Sequence, residues 1–157
     1  MPAGSIYWIE KDMMGDTLIN TRCSHLEEEM DYAYFEIRSY FIHSVHPLGF
    51  FRKVEVSIDD RKISTDDIFF VVRGNWIPVR YMHTISDIWW NQSESAYIYI
   101  RKPGGFVPGV HKVDLYMNLQ SLFNTKTLDT KGISVPMPMH LTKDVITKEA
   151  IAKEDKR

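Results

Sequence analysis

RKPGGFVPGVHKVDLYMNL, residues 101–119, carries two turn signals and one strand. The turns fall at Pro103-Gly104-Gly105 and at Val107-Pro108-Gly109. Proline presets φ for a turn and glycine supplies positive φ, so each turn has a mechanism. After His111, Val113, Leu115, Met117 and Leu119 share one face, while Lys112, Asp114, Tyr116 and Asn118 share the other. A period of two is that of a strand with one buried side. The stretch reads as a shaped loop feeding a late strand of a β-sandwich.

Upstream the same period recurs. Tyr97 and Tyr99 oppose Ile98 and Ile100 in Ala96–Lys102. Ile68–Val72 is a continuous apolar run, as a strand covered on both faces would be. Gly74-Asn75 turns it into Trp76–Val79, where Pro78 implies an edge or a bulge. Val54, Val56 and Ile58 alternate with Lys53, Glu55 and Ser57, and Asp59-Asp60 closes that strand as a hairpin. Ala33–Ile42 is a further strand and Thr17–Arg22 a first one. The acidic segment Ser24–Tyr32 has too few apolar positions for a packed helix and reads as a loop. Met82–Trp90 has room for one helical turn.

Downstream of Ser121 the pattern decays into turn-rich sequence with prolines. Leu141–Arg157 shows helical spacing at Val145, Ile146 and Ala150 but dense charge, so a short helical or disordered C-terminal tail is expected. Short strands and almost no helix predict an all-β, antiparallel β-sandwich, immunoglobulin-like or jelly-roll-like. One domain over 1–157 is expected, with its core in about 17–120 and 121–157 extended or partly disordered.

A chain of 157 residues can bury roughly 68–70% of its unfolded surface without disulfides. The net charge of −2 gives no field of one sign, which argues against nucleic acid or a membrane surface as partner. The lone Cys23 allows no intrachain disulfide and fits a reducing compartment. The N-terminus has no apolar stretch after a basic start, and no run of about 18 apolar residues occurs. A cytoplasmic protein is the expectation.

Catalytic constellations are missing. His43 and His46 lie three apart, which separates them on a strand unless Pro47 bends it, and the HxH pair of a cupin-like metal site is absent. No metal is therefore assigned to this chain. Asp59-Asp60 and Asp66-Asp67 are adjacent carboxylates that point apart and suit turns better than a catalytic pair. Cys23 has no flanking motif and reads as an ordinary thiol. Gly104-Gly105 lies between strands rather than opening a helix, so it is a poor phosphate loop. Phe50-Phe51, Trp89-Trp90 and Trp76 are more informative. Two adjacent aromatics on an extended chain cannot both enter one core, so one of each pair reaches a surface or a partner.

The ordered series FEIRSYF, HPLGFFRKVEVSIDDRKI, IFFVVRG and IWWNQSESAYIYIRKPGGFVPGVHKVDL resembles the small β subunit of bacterial C-glycoside deglycosidases. The residues that carry the likeness are Ile37-Arg38 with Tyr40, Val54-Glu55 with Asp59, Trp89 or Trp90, and Lys102-Pro103-Gly104-Gly105 with Gly109, His111 and Val113. It spans about residues 17–119. Asp60 stands where the family hairpin prefers glycine, and the chain beyond Leu119 departs from the pattern.

The resemblance implies a two-subunit lyase. Its larger α subunit, with a sugar-isomerase-like barrel, would hold the catalytic base and a divalent metal, manganese. The substrates implied are 3-oxo-C-glucosides of flavonoids or isoflavones. This chain would have no cofactor and no catalytic residue. It would support the barrel and cap its pocket in a hetero-oligomer. The candidate interface or lid is the bent, aromatic stretch His43–Phe51, with His43, His46, Pro47, Phe50 and Phe51, together with Trp89 and Trp90. Pro103, Gly104, Gly105, Gly109 and His111 are structural. Two other readings compete: a carbohydrate-binding sandwich with Trp89 or Trp90 stacked on sugar, and a cupin-like metalloenzyme using His43, His46 or His111.

Overall fold

The computed structural model describes residues 13–25, 28–38, 46–91, 93–122 and 134–150. The alternating segments become strands: β1 (Thr17–His25), β2 (Glu28–Arg38), β3 (His46–Pro47), β4 (Phe51–Ile58), β5 (Arg61–Lys62), β6 (Ile68–Val72), β7 (Asn75–Pro78), β8 (Trp89–Trp90), β9 (Ser95–Arg101), β10 (Gly109–Leu122) and β11 (Ser134–Glu149). Nine of them form one sheet in the order β5-β4-β10-β11-β1-β2-β9-β6-β7, and β3 pairs with β8 in a small second sheet. Short 3-10 turns at Leu48–Phe50, Thr65–Asp67 and Val79–Thr84 join them. No helix among the described residues is long and apolar enough to cross a membrane.

The all-β class is as expected, but the layering comes from one continuous sheet. Its inner face is lined by Ala33, Phe35 and Ile37 of β2, Val54, Val56 and Ile58 of β4, Ile98 and Ile100 of β9, and Val113, Leu115 and Met117 of β10, all buried in one core. The sheet curls so that its two ends meet. Trp90, fully buried, touches Phe51 of β4 at 5.7 Å and Phe70 of β6 at 5.2 Å between ring centroids. Its indole N–H donates to the Glu94 carbonyl at 2.9 Å, which lets the ring be buried without an orphaned donor. The sheet is also not wholly antiparallel, because β1 and β11 run parallel.

Three stretches differ from the sequence reading. The described residues of Ser24–Tyr32 are strand rather than loop: β1 and β2 pair from Ile19↔Tyr34 to His25↔Glu28, and residues 26 and 27 lie outside the described residues. Glu28 and Glu29 are exposed there, and Arg22 bridges both Glu29 and Asp31. The one helical turn near Met82 is a 3-10 turn that starts earlier, at Val79, and β8 follows it.

Within the expected helical or disordered tail, Leu141–Glu149 belongs to the strand β11 and residues 151–157 lie outside the described residues; Met139, Leu141 and Val145 extend the core beyond residue 120. Lys143, in the same alternation, hid that period. Its ammonium leaves the inner face to donate to the Met14 carbonyl at 2.9 Å and to pair with Asp16 at 2.6 Å. Pro136 and Pro138 fit because β10 pairs Ser134–Thr147 of β11, whereas β1 pairs only Ile146–Glu149. The N–H groups of Ile146 and Ala150 point toward β1, donating to the carbonyls of Asp16, just before it, and Asn20, within it. The two prolines share that alternation, so their missing donors fall on the side that β1 does not reach.

Candidate functional site

The loop between β9 and β10 is built backwards from its anchors. Pro103 and Gly104 take the centre of a turn, Gly104 at φ +81°, closed by Gly105 N–H to the Lys102 carbonyl at 2.8 Å. Asp31 accepts the Gly104 N–H at 2.9 Å. Asn20, buried on β1, clamps the next residue: its side chain accepts from Phe106 N–H at 2.9 Å and donates to the Phe106 carbonyl at 2.8 Å. Gly105 lies against that amide at φ +73°, and a Cβ there would meet it at 2.9 Å, so only glycine fits.

His111 closes the loop. Its Nδ1 meets Asp59 Oδ2 at 2.5 Å and its Nε2 meets the Val107 carbonyl at 2.7 Å. The Asp59 carboxylate holds the His111 imidazole above its ordinary pKa, and the same bond, with the Lys112 N–H, lowers that of Asp59. Beyond these tethers Val107 and Val110 are exposed, and Ile146, paired with Val110, is exposed beside them. Pro103, Gly104, Gly105, Gly109 and His111 thus shape a loop. His111 has both ring nitrogens engaged, so it is not offered to a metal.

The other sequence candidates come together at the curled end. β3 and β8 pair His46 with Trp90 and Pro47 with Trp89. Phe51 and Trp90 enter the core, Phe50 packs partly against it, and Trp89 is 45% exposed. Arg73 donates to the Trp89 carbonyl at 2.6 Å and pairs with Glu94, fixing this corner to the β6–β7 turn. Gly49 passes so close to Ile85 that a Cβ would lie 2.7 Å from its carbonyl oxygen. A cavity of about 210 Å³ opens between Phe50, Arg52, His83 and Ile85. His43 lies outside the described residues.

A third region was not foreseen. On the outer side of β1, β2, β9, β6 and β7, Tyr32, Phe69 and Val71 are buried, with Cys23, Met30, Trp76, Tyr97 and Tyr99 packed around them. Tyr34 stacks on Tyr99 at 4.7 Å with planes 17° apart, and Trp76 lies 4.5 Å from Tyr99 and 5.3 Å from Tyr32. Arg101 lays its guanidinium over Phe69 at 5.6 Å, and its Nε has no hydrogen-bond partner. Burial raises the phenol pKa of Tyr32, Tyr34 and Tyr99, and the thiol pKa of Cys23. Those phenols and that thiol stay neutral near pH 7. The tyrosine alternation in β9 was visible in sequence, but its partners lie on strands far away along the chain.

Among the described residues no group of three or more His, Cys, Asp or Glu side chains is placed to hold a metal ion. The distinctive features of the described residues are an aromatic outer face and a tethered loop. The sequence matches the model of the C-glycoside deglycosidase beta subunit over residues 26–123, more than half of the chain. The chain belongs to that family. As a beta subunit it has an alpha partner in a complex. No curated protein matches it.

Proposed function

We propose that this chain is the non-catalytic subunit of a lyase that cleaves the carbon–carbon glycosidic bond of 3-oxo-C-glucosides of flavonoids or isoflavones. The observation that carries the reading is the family match over residues 26–123. The chemistry is an elimination. The 3-oxo group acidifies the C2 proton, and a base takes that proton. Its electron pair forms the C1–C2 double bond as the C1–aryl bond breaks, and the departing ring carbon is protonated. The base belongs to the α subunit, read as a sugar-isomerase-like barrel in the cytoplasm. A divalent metal, manganese, bound there would polarise the sugar oxygens. This chain supports the barrel, and the segment His43–Phe51 with Trp89 caps its pocket.

The test is reconstitution. Each subunit alone, and then both together, would be given a 3-oxo-C-glucoside and aglycone release followed by chromatography. Release by the pair and none by this chain alone is expected. Turnover by this chain alone, or an α subunit equally active without it, overturns the reading.

A further inference from the structure

We propose that the aromatic half of the outer face is where the α subunit docks, and that the α subunit meets Arg101 with a carboxylate. This rests on the reading above, since it takes that α subunit as the occupant.

Size is the first argument. The part-exposed rings of Tyr34, Tyr97, Tyr99 and Trp76 lie on β2, β9 and β7, across four adjacent strands that span about 14 Å at about 4.8 Å per strand. A cluster of part-exposed rings on that scale is the kind of patch that proteins often use to bind. Composition is the second. Tyrosine, tryptophan, phenylalanine, methionine and arginine occupy the centre, the types enriched where proteins bind. Charged pairs stand at the margins: Arg22 with Glu29 and Asp31 at one end, Arg38 with Glu36 at the other. An apolar centre inside a charged rim is the anatomy of a protein interface, not of a solvated sheet.

Charge is the third argument and sets the chemistry of the partner. Arg101 interacts with the Tyr32 hydroxyl and lies over the Phe69 ring, yet makes no ion pair among the described residues. A carboxylate supplied across the interface would satisfy it, and a guanidinium stacked on a ring is well suited to accept one. The strands β2, β9, β6 and β7 that carry most of the face all fall inside the family-matched residues.

The test measures binding of the purified chain to the α subunit by calorimetry, with light scattering for each species. Tyr97→Glu should weaken the complex at least about 100-fold and Arg101→Ala about tenfold or more. Glu55→Lys on the opposite outer half should bind as the unaltered chain does. Tyr97→Ala and a thermal melt of every variant separate lost docking from lost folding. A complex that forms with the unaltered chain and is indifferent to Tyr97→Glu and Arg101→Ala overturns the docking proposal and leaves the lyase reading standing. So does an isolated chain that dimerises through this face while the complex is unaffected by Tyr97→Glu. An unaltered chain that neither binds the α subunit nor raises its activity overturns both.

Discussion

The two outer halves of the sheet share one inner layer and differ in everything that faces outward. Over β4, β10 and β11 the outer residues are Lys53, Glu55, Ser57, Asp114, Tyr116, Asn118, His140 and Thr142, with Glu55 bridged by Lys53 and Lys62. Over β2, β9, β6 and β7 they are rings stacked on rings. Both halves close over the same buried aliphatic core, so folding alone does not explain the contrast. A strand needs one apolar face to fold; a second apolar face implies something further to cover. β6, buried at all five positions, is where the two demands meet.

Substitutions can break or sharpen that contrast. The largest effect belongs to the shared inner layer. Trp90→Ala should cost about 3–5 kcal/mol in chemical denaturation, since it removes the ring that joins the two ends of the sheet. A cost near zero would mean that the curl is held elsewhere. Tyr99→Ala should cost about 1–2 kcal/mol, through contacts to Tyr34 and Trp76. The like truncation Tyr116→Ala, on a ring whose one ring contact among the described residues is His140 at 6.3 Å, should cost clearly less. Equal losses would erase the distinction between the halves.

The tether at His111 should show itself through pH. Its folded pKa is raised, so its contribution is full below the unfolded value of about 6.5 and fades as pH climbs through the folded one. Asp59 is lowered, so its share is present above about 3.9 and fades as pH falls through the folded value. The pair is thus strongest between weakly acidic and neutral pH. His111→Gln should lose about 1 kcal/mol there and flatten the decline of stability toward pH 9. An unchanged pH profile would remove the tether. The smallest effect is Glu55→Lys, within about 0.5 kcal/mol in a melt, because exposed pairs contribute little.

Much of this was legible in the sequence, and for one physical reason. Period two shows wherever one face is buried and the other wet, as in β4, β9 and β10. It vanished in β11, where Lys143 occupies an inner position and carries its charge out to Asp16. It was also unreadable at the β1–β2 hairpin end, where water replaces the core. The ordered motifs pointed to the family, and the loop at Lys102–His111 was recognisable as shaped. Its clamps were not: Asn20 lies 86 residues from Phe106, and Asp59 lies 52 from His111. The aromatic face escaped for a similar cause. Tyr34, Tyr99 and Trp76 become neighbours only when the strand order is known.

The parallel strand β11 has a consequence for how the molecule is made. It fills the seam between β10 and β1, pairing along fourteen positions with one and four with the other. It is the last described strand to emerge in synthesis. Until Glu149 is free of the ribosome, β10 and β1 each offer an open edge, and the sheet exists as two separate pieces. A chain cut near Ser121 would therefore not be a trimmed protein but two half-sheets with exposed edges, prone to pair with other chains.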